Sequence, residues 1–106
     1  MSRALTVEEC RAEFLKKLAH LIGYWAKRPG TVEERMGGLV FSILVMIDGG
    51  AGGFPPLKLI PEYNPANQKF RESKGEDYWP DGINLSDPKL EELHGEWNKY
   101  RPDVKR

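Results

Sequence analysis

The chain has 106 residues, of which 40% are hydrophobic and 30% are charged, and its sixteen basic residues balance sixteen acidic ones. This composition predicts one globular domain and argues against disorder of the whole chain. The zero net charge provides no general attraction to nucleic acid or to anionic membranes. A single cysteine, Cys10, excludes an internal disulfide and Cys-rich zinc sites, and it is typical of a reducing compartment.

The N-terminal residues and the longest apolar stretch indicate a cytoplasmic protein. Glu8 and Glu9 stand where a signal peptide would need an apolar run. Residues 39–47 form the longest apolar stretch and include Ser42, whereas a membrane span needs about 20 apolar residues. We therefore expect no insertion into a membrane.

Two capping boxes predict a helical hairpin over residues 1–48. Residues 6–9 and 31–34 both read Thr-Val-Glu-Glu, in which the threonine and the second glutamate can each bond the other's backbone N–H. Apolar residues three and four apart follow the first box and predict one helix, which Pro29-Gly30 ends. The second helix is predicted to end at residues 48–50, where Asp-Gly-Gly offers glycine for a left-handed backbone conformation.

The second helix has a rival interpretation as a buried strand. Gly37-Gly38 could end the helix early, and periodicity does not separate helix from strand in a fully apolar run such as 39–47. We favour the helix, because Glu34, Gly38 and Ser42 fall four residues apart and form one stripe on a helix.

Such an apolar helix needs cover around most of its circumference, and one amphipathic helix does not supply it. The C-terminal half, a second copy of the chain or both must therefore pack on it. The small residues Gly38 and Ser42 would allow another backbone to approach closely. These two residues and Val45 are the predicted interface of a homodimer.

After a Gly-rich connector at residues 49–53, an irregular half is predicted over 54–106. Residues 57–60 and 83–85 are expected to pair in a short two-stranded ribbon. A third helix is predicted to start at Asn64-Pro65 and a last one at Asp87-Pro88, leaving a frayed tail to residue 106. The predicted fold class is α+β, mostly α, in a single domain.

Few residues point to catalysis or to metal binding. The chain has two histidines, His20 and His94, and only one Glu-x-x-His pair, Glu91 with His94, whereas di-iron carboxylate bundles use two. Cys10 falls on the apolar face of the first helix, a poor setting for a reactive thiol. No metal, cofactor or catalytic residue is expected, and a non-enzymatic role is favoured over an enzymatic one, which stays open.

The best candidate for a recognition surface is the loop that contains Tyr78, Trp79 and Asp81. Tyrosine and tryptophan anchor many interfaces, and an irregular loop has no internal need for two large aromatic side chains. Asp48 flanks the Gly-rich connector and is added as a further candidate contact for a ligand or partner.

The run at residues 35–44, together with Asp48-Gly49 and Leu59-Ile60-Pro61, resembles small, uncharacterised bacterial or phage-borne proteins. The resemblance covers about a third of the chain. It implies a bacterial or phage setting, and it implies no activity and no functional residue.

Three functions remain open at this point. The first is a protein–protein interaction module that forms a homodimer and masks a surface of another protein, in a phage setting a host protein. The second is a small-molecule binder or minor hydrolase with a pocket between residues 49–53 and the loop at 78–81. The third is a nucleic-acid accessory protein, which the net charge disfavours.

Overall fold

A computed structural model describes residues 2–104 as a helical protein. Its helices are α1 (Val7–Ala26), α2 (Val32–Ile47), α3 (Pro65–Ser73) and α4 (Leu93–Trp97). The part of the chain that the structure describes contains no β-strand, so the predicted α+β class is wrong. The predicted frayed tail runs from Pro102 to residue 106, and its last two residues, 105 and 106, lie outside the described residues.

Both predicted capping boxes are confirmed. Thr6 Oγ1 accepts from the Glu9 backbone N–H at 3.1 Å, and Glu9 Oε1 accepts from the Thr6 backbone N–H at 2.9 Å. Thr31 and Glu34 repeat this exchange at 3.1 and 3.2 Å. Each box satisfies two backbone donors that a helix start would otherwise leave unpaired, which fixes where α1 and α2 begin.

Residues 39–47 are helical, so the helix interpretation is confirmed over the strand interpretation. The helix ends in a Schellman motif, in which the Gly50 N–H donates to the Val45 carbonyl and the Gly49 N–H donates to the Met46 carbonyl. Gly49 has a φ of +88°, and a Cβ there would lie 2.9 Å from Pro56. Both the backbone conformation and the close approach of Pro56 therefore require glycine at this position.

Helix α2 is held between α1 and α4 by two tryptophans. Trp25 of α1 lies over Gly38 and donates from its indole Nε1 to Ser42 Oγ at 2.8 Å. Trp97 of α4 donates from Nε1 to the Gly37 carbonyl at 3.0 Å. The two adjacent glycines let neighbouring segments approach the α2 backbone more closely than larger side chains would allow.

The predicted two-stranded ribbon is wrong, although its two segments do lie side by side. One backbone hydrogen bond joins them, from the Leu85 N–H to the Leu59 carbonyl at 2.8 Å. The other bonds come from side chains: Asn84 Oδ1 accepts from the Leu59 N–H, and Ser86 Oγ donates to the Leu57 carbonyl. These side chains take the backbone groups that a ladder of strand hydrogen bonds would use.

The last helix begins later than predicted. Residues 87–90 form a turn in which the Leu90 N–H donates to the Asp87 carbonyl and Asp87 Oδ1 accepts from the Lys89 N–H. Helix α4 begins at Leu93 and has five residues. The aspartate side chain completes a local turn instead of capping a longer helix.

The chain is open and thin, with extents of 50 × 49 × 23 Å. Its radius of gyration is 17.5 Å, whereas a compact domain of this length has about 13 Å. Its accessible surface is 8458 Å², against about 6,000 Å² for a compact protein of 12.1 kDa. Among the described residues, only Met46 and Ile47 are buried large hydrophobic residues.

Candidate interaction surface

An apolar groove runs along the side of α2 that α1 and α4 leave open. It has a volume of about 390 Å³ and is lined by Val32, Glu33, Met36, Gly37, Val40, Trp97 and Pro102. Three of these residues, Val32, Met36 and Val40, are four apart and form one stripe on the helix. We call this surface the α2 groove.

The stripe is largely uncovered at its N-terminal end. Val32 is 57% exposed and Met36 is 63% exposed, while Val40 is half-buried. A contiguous apolar surface of this kind marks interaction sites in soluble proteins, because water solvates it poorly. The sequence predicted that α2 needs additional cover, and the groove is where the chain itself does not supply it.

The C-terminal segment forms one wall of the α2 groove. Arg101 donates from Nε and from Nη2 to the two carboxylate oxygens of Asp103, at 2.7 and 2.8 Å. These hydrogen bonds hold the pKa of Asp103 below its ordinary value. The pair lies against Gly37, where an added Cβ would be 2.6 Å from Asp103 Oδ1, and it fixes Pro102 beside the groove.

The predicted dimer residues lie on other sides of α2. Gly38 and Ser42 contact Trp25 of the same chain, so the approach that small residues permit is used within one molecule. Val45 is half-buried near the C-terminal end of the helix and accepts from the Gly50 N–H. Their role between two chains stays a prediction.

Asp48 belongs to a second cluster, at the C-terminal end of α2. Its Oδ2 accepts from the His94 backbone N–H at 2.9 Å and lies 2.7 Å from His94 Nδ1. The Asp48 side chain is only 5% exposed. Phe41 packs edge-on against the His94 ring, with centroids 5.4 Å apart. The contacts tie α4 to the end of α2.

Glu92 completes a group that could hold a metal ion. Asp48, Glu92 and His94 each offer one ligand atom, and these atoms lie within 4.8 Å of one another. Glu92 is the residue before α4, and its side chain makes no capping hydrogen bond. Asp48 is also one of the predicted ligand or partner contacts, but no hydrogen bond or ion pair within residues 2–104 joins it to the loop at residues 78–81.

The loop at residues 78–81 lies within a segment, residues 76–82, that is exposed throughout. Trp79 is 62% exposed, and Tyr78 and Asp81 are also at the surface. Trp79 lines a shallow cavity of about 450 Å³ together with Pro61, Glu62, Tyr63, Asn64 and Asn67. The loop therefore adjoins the start of α3, and the predicted pocket with residues 49–53 stays a prediction.

No family model, curated protein or solved structure matches this chain. No helix among residues 2–104 is long and apolar enough to cross a lipid bilayer.

Sequence reasoning missed two features of these surfaces. Residues 97 and 102 line the α2 groove from a segment some 60 positions away, and no local pattern indicates that contact. His94 was considered only with Glu91, which precedes it by three residues, whereas its partner in the structure is Asp48. The only feature of the sequence that singled out His94 was that the chain has two histidines in all.

Proposed function

We propose that this chain is a protein–protein interaction module without enzymatic activity, and that its first partner is a second copy of itself. The observation that carries the proposal is the uncovered α2 groove, with Met36 63% exposed at its centre. Burying an apolar side chain of this size stabilises an association by about 1.5–3 kcal/mol before entropic costs.

The surface area of the chain supports an association of ordinary size. Its surface exceeds that of a compact protein of the same mass by roughly 2,400 Å². A standard interface buries about 800 Å² on each partner. The open shape therefore leaves enough surface for a stable dimer.

The charge and geometry of the groove favour a second copy as the occupant. The chain has zero formal net charge, so two copies do not repel each other over long distances. A straight stripe on one helix can pack against itself about a two-fold axis, which is the commonest symmetry of soluble oligomers. Crossing the two α2 helices in opposite directions also separates the two copies of Glu33, the one charged residue that lines the groove.

The test is the mass in solution of the wild-type chain and of Met36→Glu, measured by light scattering coupled to gel filtration. We expect the wild type to have twice the 12.1 kDa of one chain and the variant to have the mass of one chain, because a carboxylate in the groove would be buried unpaired. Circular dichroism checks that both chains are equally helical.

Leu90→Glu is the matched control. Leu90 is 59% exposed, close to the value for Met36, but it does not line the α2 groove. We expect this variant to keep the mass of the wild type. A wild type that is a monomer at high micromolar concentration, or a control that dissociates as fully as Met36→Glu, would contradict the proposal.

The loop at residues 78–81 is the proposed surface for a different protein. Trp79 is large, exposed and set beside a shallow cavity, which are the features of a residue that anchors an interface. A dimer formed through α2 would carry two copies of this loop and bind a repeated or paired target more tightly than one copy does.

A further inference from the structure

We infer that Asp48, Glu92 and His94 form a binding site for a divalent first-row transition cation, with Zn²⁺ as the probe. The three ligand atoms lie within 4.8 Å of one another, at the place where the end of α2 meets the start of α4. Two carboxylates and one imidazole are a donor set that Zn²⁺ accepts, and three protein ligands leave a position for water.

The burial of Asp48 is the second observation that points to a cation. Its side chain is 5% exposed, yet its only polar partners within residues 2–104 are the backbone N–H and the ring of His94, both inside the cluster. No lysine or arginine pairs with it in this part of the chain. A buried carboxylate is stabilised by a positive charge beside it, and a divalent cation held between Asp48 and His94 would supply one.

Glu92 is placed to close the site. It is exposed, and its side chain is not engaged in capping α4, so it can move toward Asp48 without breaking a capping hydrogen bond. Ligand atoms that lie about 2.0–2.2 Å from a tetrahedral Zn²⁺ are about 3.3–3.6 Å from one another. Asp48 Oδ2 and His94 Nδ1, which lie 2.7 Å apart, must therefore exchange their hydrogen bond for the ion and separate slightly, while Glu92 draws closer. His94 coordinates as the neutral imidazole, and any proton displaced from the coordinating nitrogen passes to solvent.

A bound ion would fasten two elements that are otherwise joined by few contacts. Helix α4 has five residues and packs on α2 through His94 and Trp97. The site would therefore stabilise the position of α4, and with it the wall of the α2 groove that Trp97 forms. The inference goes beyond self-association, because the three ligands belong to one chain and do not line the groove.

The experiment is a calorimetric titration of the full chain with Zn²⁺, together with the visible absorption of Co²⁺ bound at the same site. We expect one ion per chain and the absorption bands of Co²⁺ in a protein site of low coordination number. Glu92→Gln should weaken binding by roughly tenfold or more, since even indirect supports of metal ligands change affinity by that much. This residue is exposed, so the variant is expected to keep its fold.

Glu91→Gln is the matched control, because Glu91 is the neighbouring carboxylate and pairs with Lys99 at 3.1 Å instead of joining the cluster. It should bind Zn²⁺ as the wild type does, whereas His94→Ala should not bind. A helicity measurement on His94→Ala separates lost binding from lost folding. The inference is overturned if the wild type shows no binding, if Glu91→Gln and Glu92→Gln are equally weakened, or if a folded His94→Ala still binds.

Discussion

Gly37 and Gly38 are two points at which side chains of neighbouring segments lie close to the backbone of α2. A Cβ at Gly37 would lie 2.6 Å from Asp103 Oδ1, and one at Gly38 would lie 2.3 Å from the Trp25 ring. Both distances are far below ordinary van der Waals contact. Because these two residues lack side chains, the C-terminal segment packs on α2 at Gly37 and α1 packs on it at Gly38.

Gly38→Ala is expected to lower the free energy of unfolding by about 1–2 kcal/mol. Alanine is a better helix former than glycine by about 1 kcal/mol, but the overpacking against Trp25 costs about 1–3 kcal/mol and displaces its indole from Ser42. Urea unfolding followed by circular dichroism measures the change.

Gly23→Ala is the control for that experiment, since Gly23 also lies in a helix but has nothing within 4 Å of the added methyl group. We expect it to stabilise the chain by up to about 1 kcal/mol. Equal stability of the two variants would contradict the close packing of the Trp25 ring on Gly38.

At the scale of the helices, an ion pair reinforces the capping box at the N-terminal end of α1. Arg3 donates two hydrogen bonds of 2.8 Å to the Glu9 carboxylate, and the Thr6 backbone N–H donates a third. These contacts lower the pKa of Glu9 from its ordinary value of 4.5 to about 2. The same carboxylate therefore caps the helix and holds the residues before it.

Acid should loosen this end of α1 before the rest of the helix. A folded-state pKa below the unfolded value means that the stabilisation is complete above about pH 4.5 and is lost as the pH falls toward about 2. The carboxyl carbon shift of Glu9, followed by NMR, should titrate with a midpoint near 2. In Arg3→Ala the midpoint should move up toward 4.5, and a wild-type midpoint already near 4.5 would contradict the geometry.

The sequence predicted those elements whose signals are local. Both capping boxes lie within four residues, and Asn64 caps α3 from the position immediately before Pro65. The ribbon and the start of α4 failed because polar side chains of Asn84, Ser86 and Asp87 bond nearby backbone groups. Composition alone does not show whether such a residue ends an element or replaces its hydrogen bonds.

The candidate sites were less predictable than the helices, for a related reason. The apolar run at residues 39–47 indicates from the sequence that α2 needs cover. The α2 groove also depends on Trp97 and Pro102, which only tertiary folding brings beside α2. Asp48 and His94 are 46 residues apart, and neither has a neighbour that indicates the other. Long-range pairs of this kind follow from packing and not from local pattern.

At the scale of the whole molecule, the thinness of the chain links its stability to association. Among the described residues, Met46 and Ile47 are the only large apolar residues that are buried, and the others are half-buried or exposed. One copy of the chain therefore has a small core of its own. A partner that binds only the folded state would add directly to stability.

The melting temperature of the wild type should therefore rise with protein concentration. For a dimer that unfolds to two chains of this length, a tenfold increase should raise it by roughly 3 °C. Differential scanning calorimetry over a concentration series measures the shift. Met36→Glu should melt at one temperature throughout, and a wild type that behaves in the same way would count against self-association.

The two tryptophans that are hydrogen-bonded to α2 also allow the packing of the helices to be followed by intrinsic fluorescence. Trp25 and Trp97 donate their indole N–H groups to α2 from opposite neighbours, whereas Trp79 stands exposed in its loop. Intrinsic fluorescence accordingly comes from two half-buried tryptophans, which report on the packing of α1 and α4 against α2, and from one exposed tryptophan that a dissolved quencher reaches. Loosening of the helices and occupation of the loop thus produce separate optical signals without any attached label.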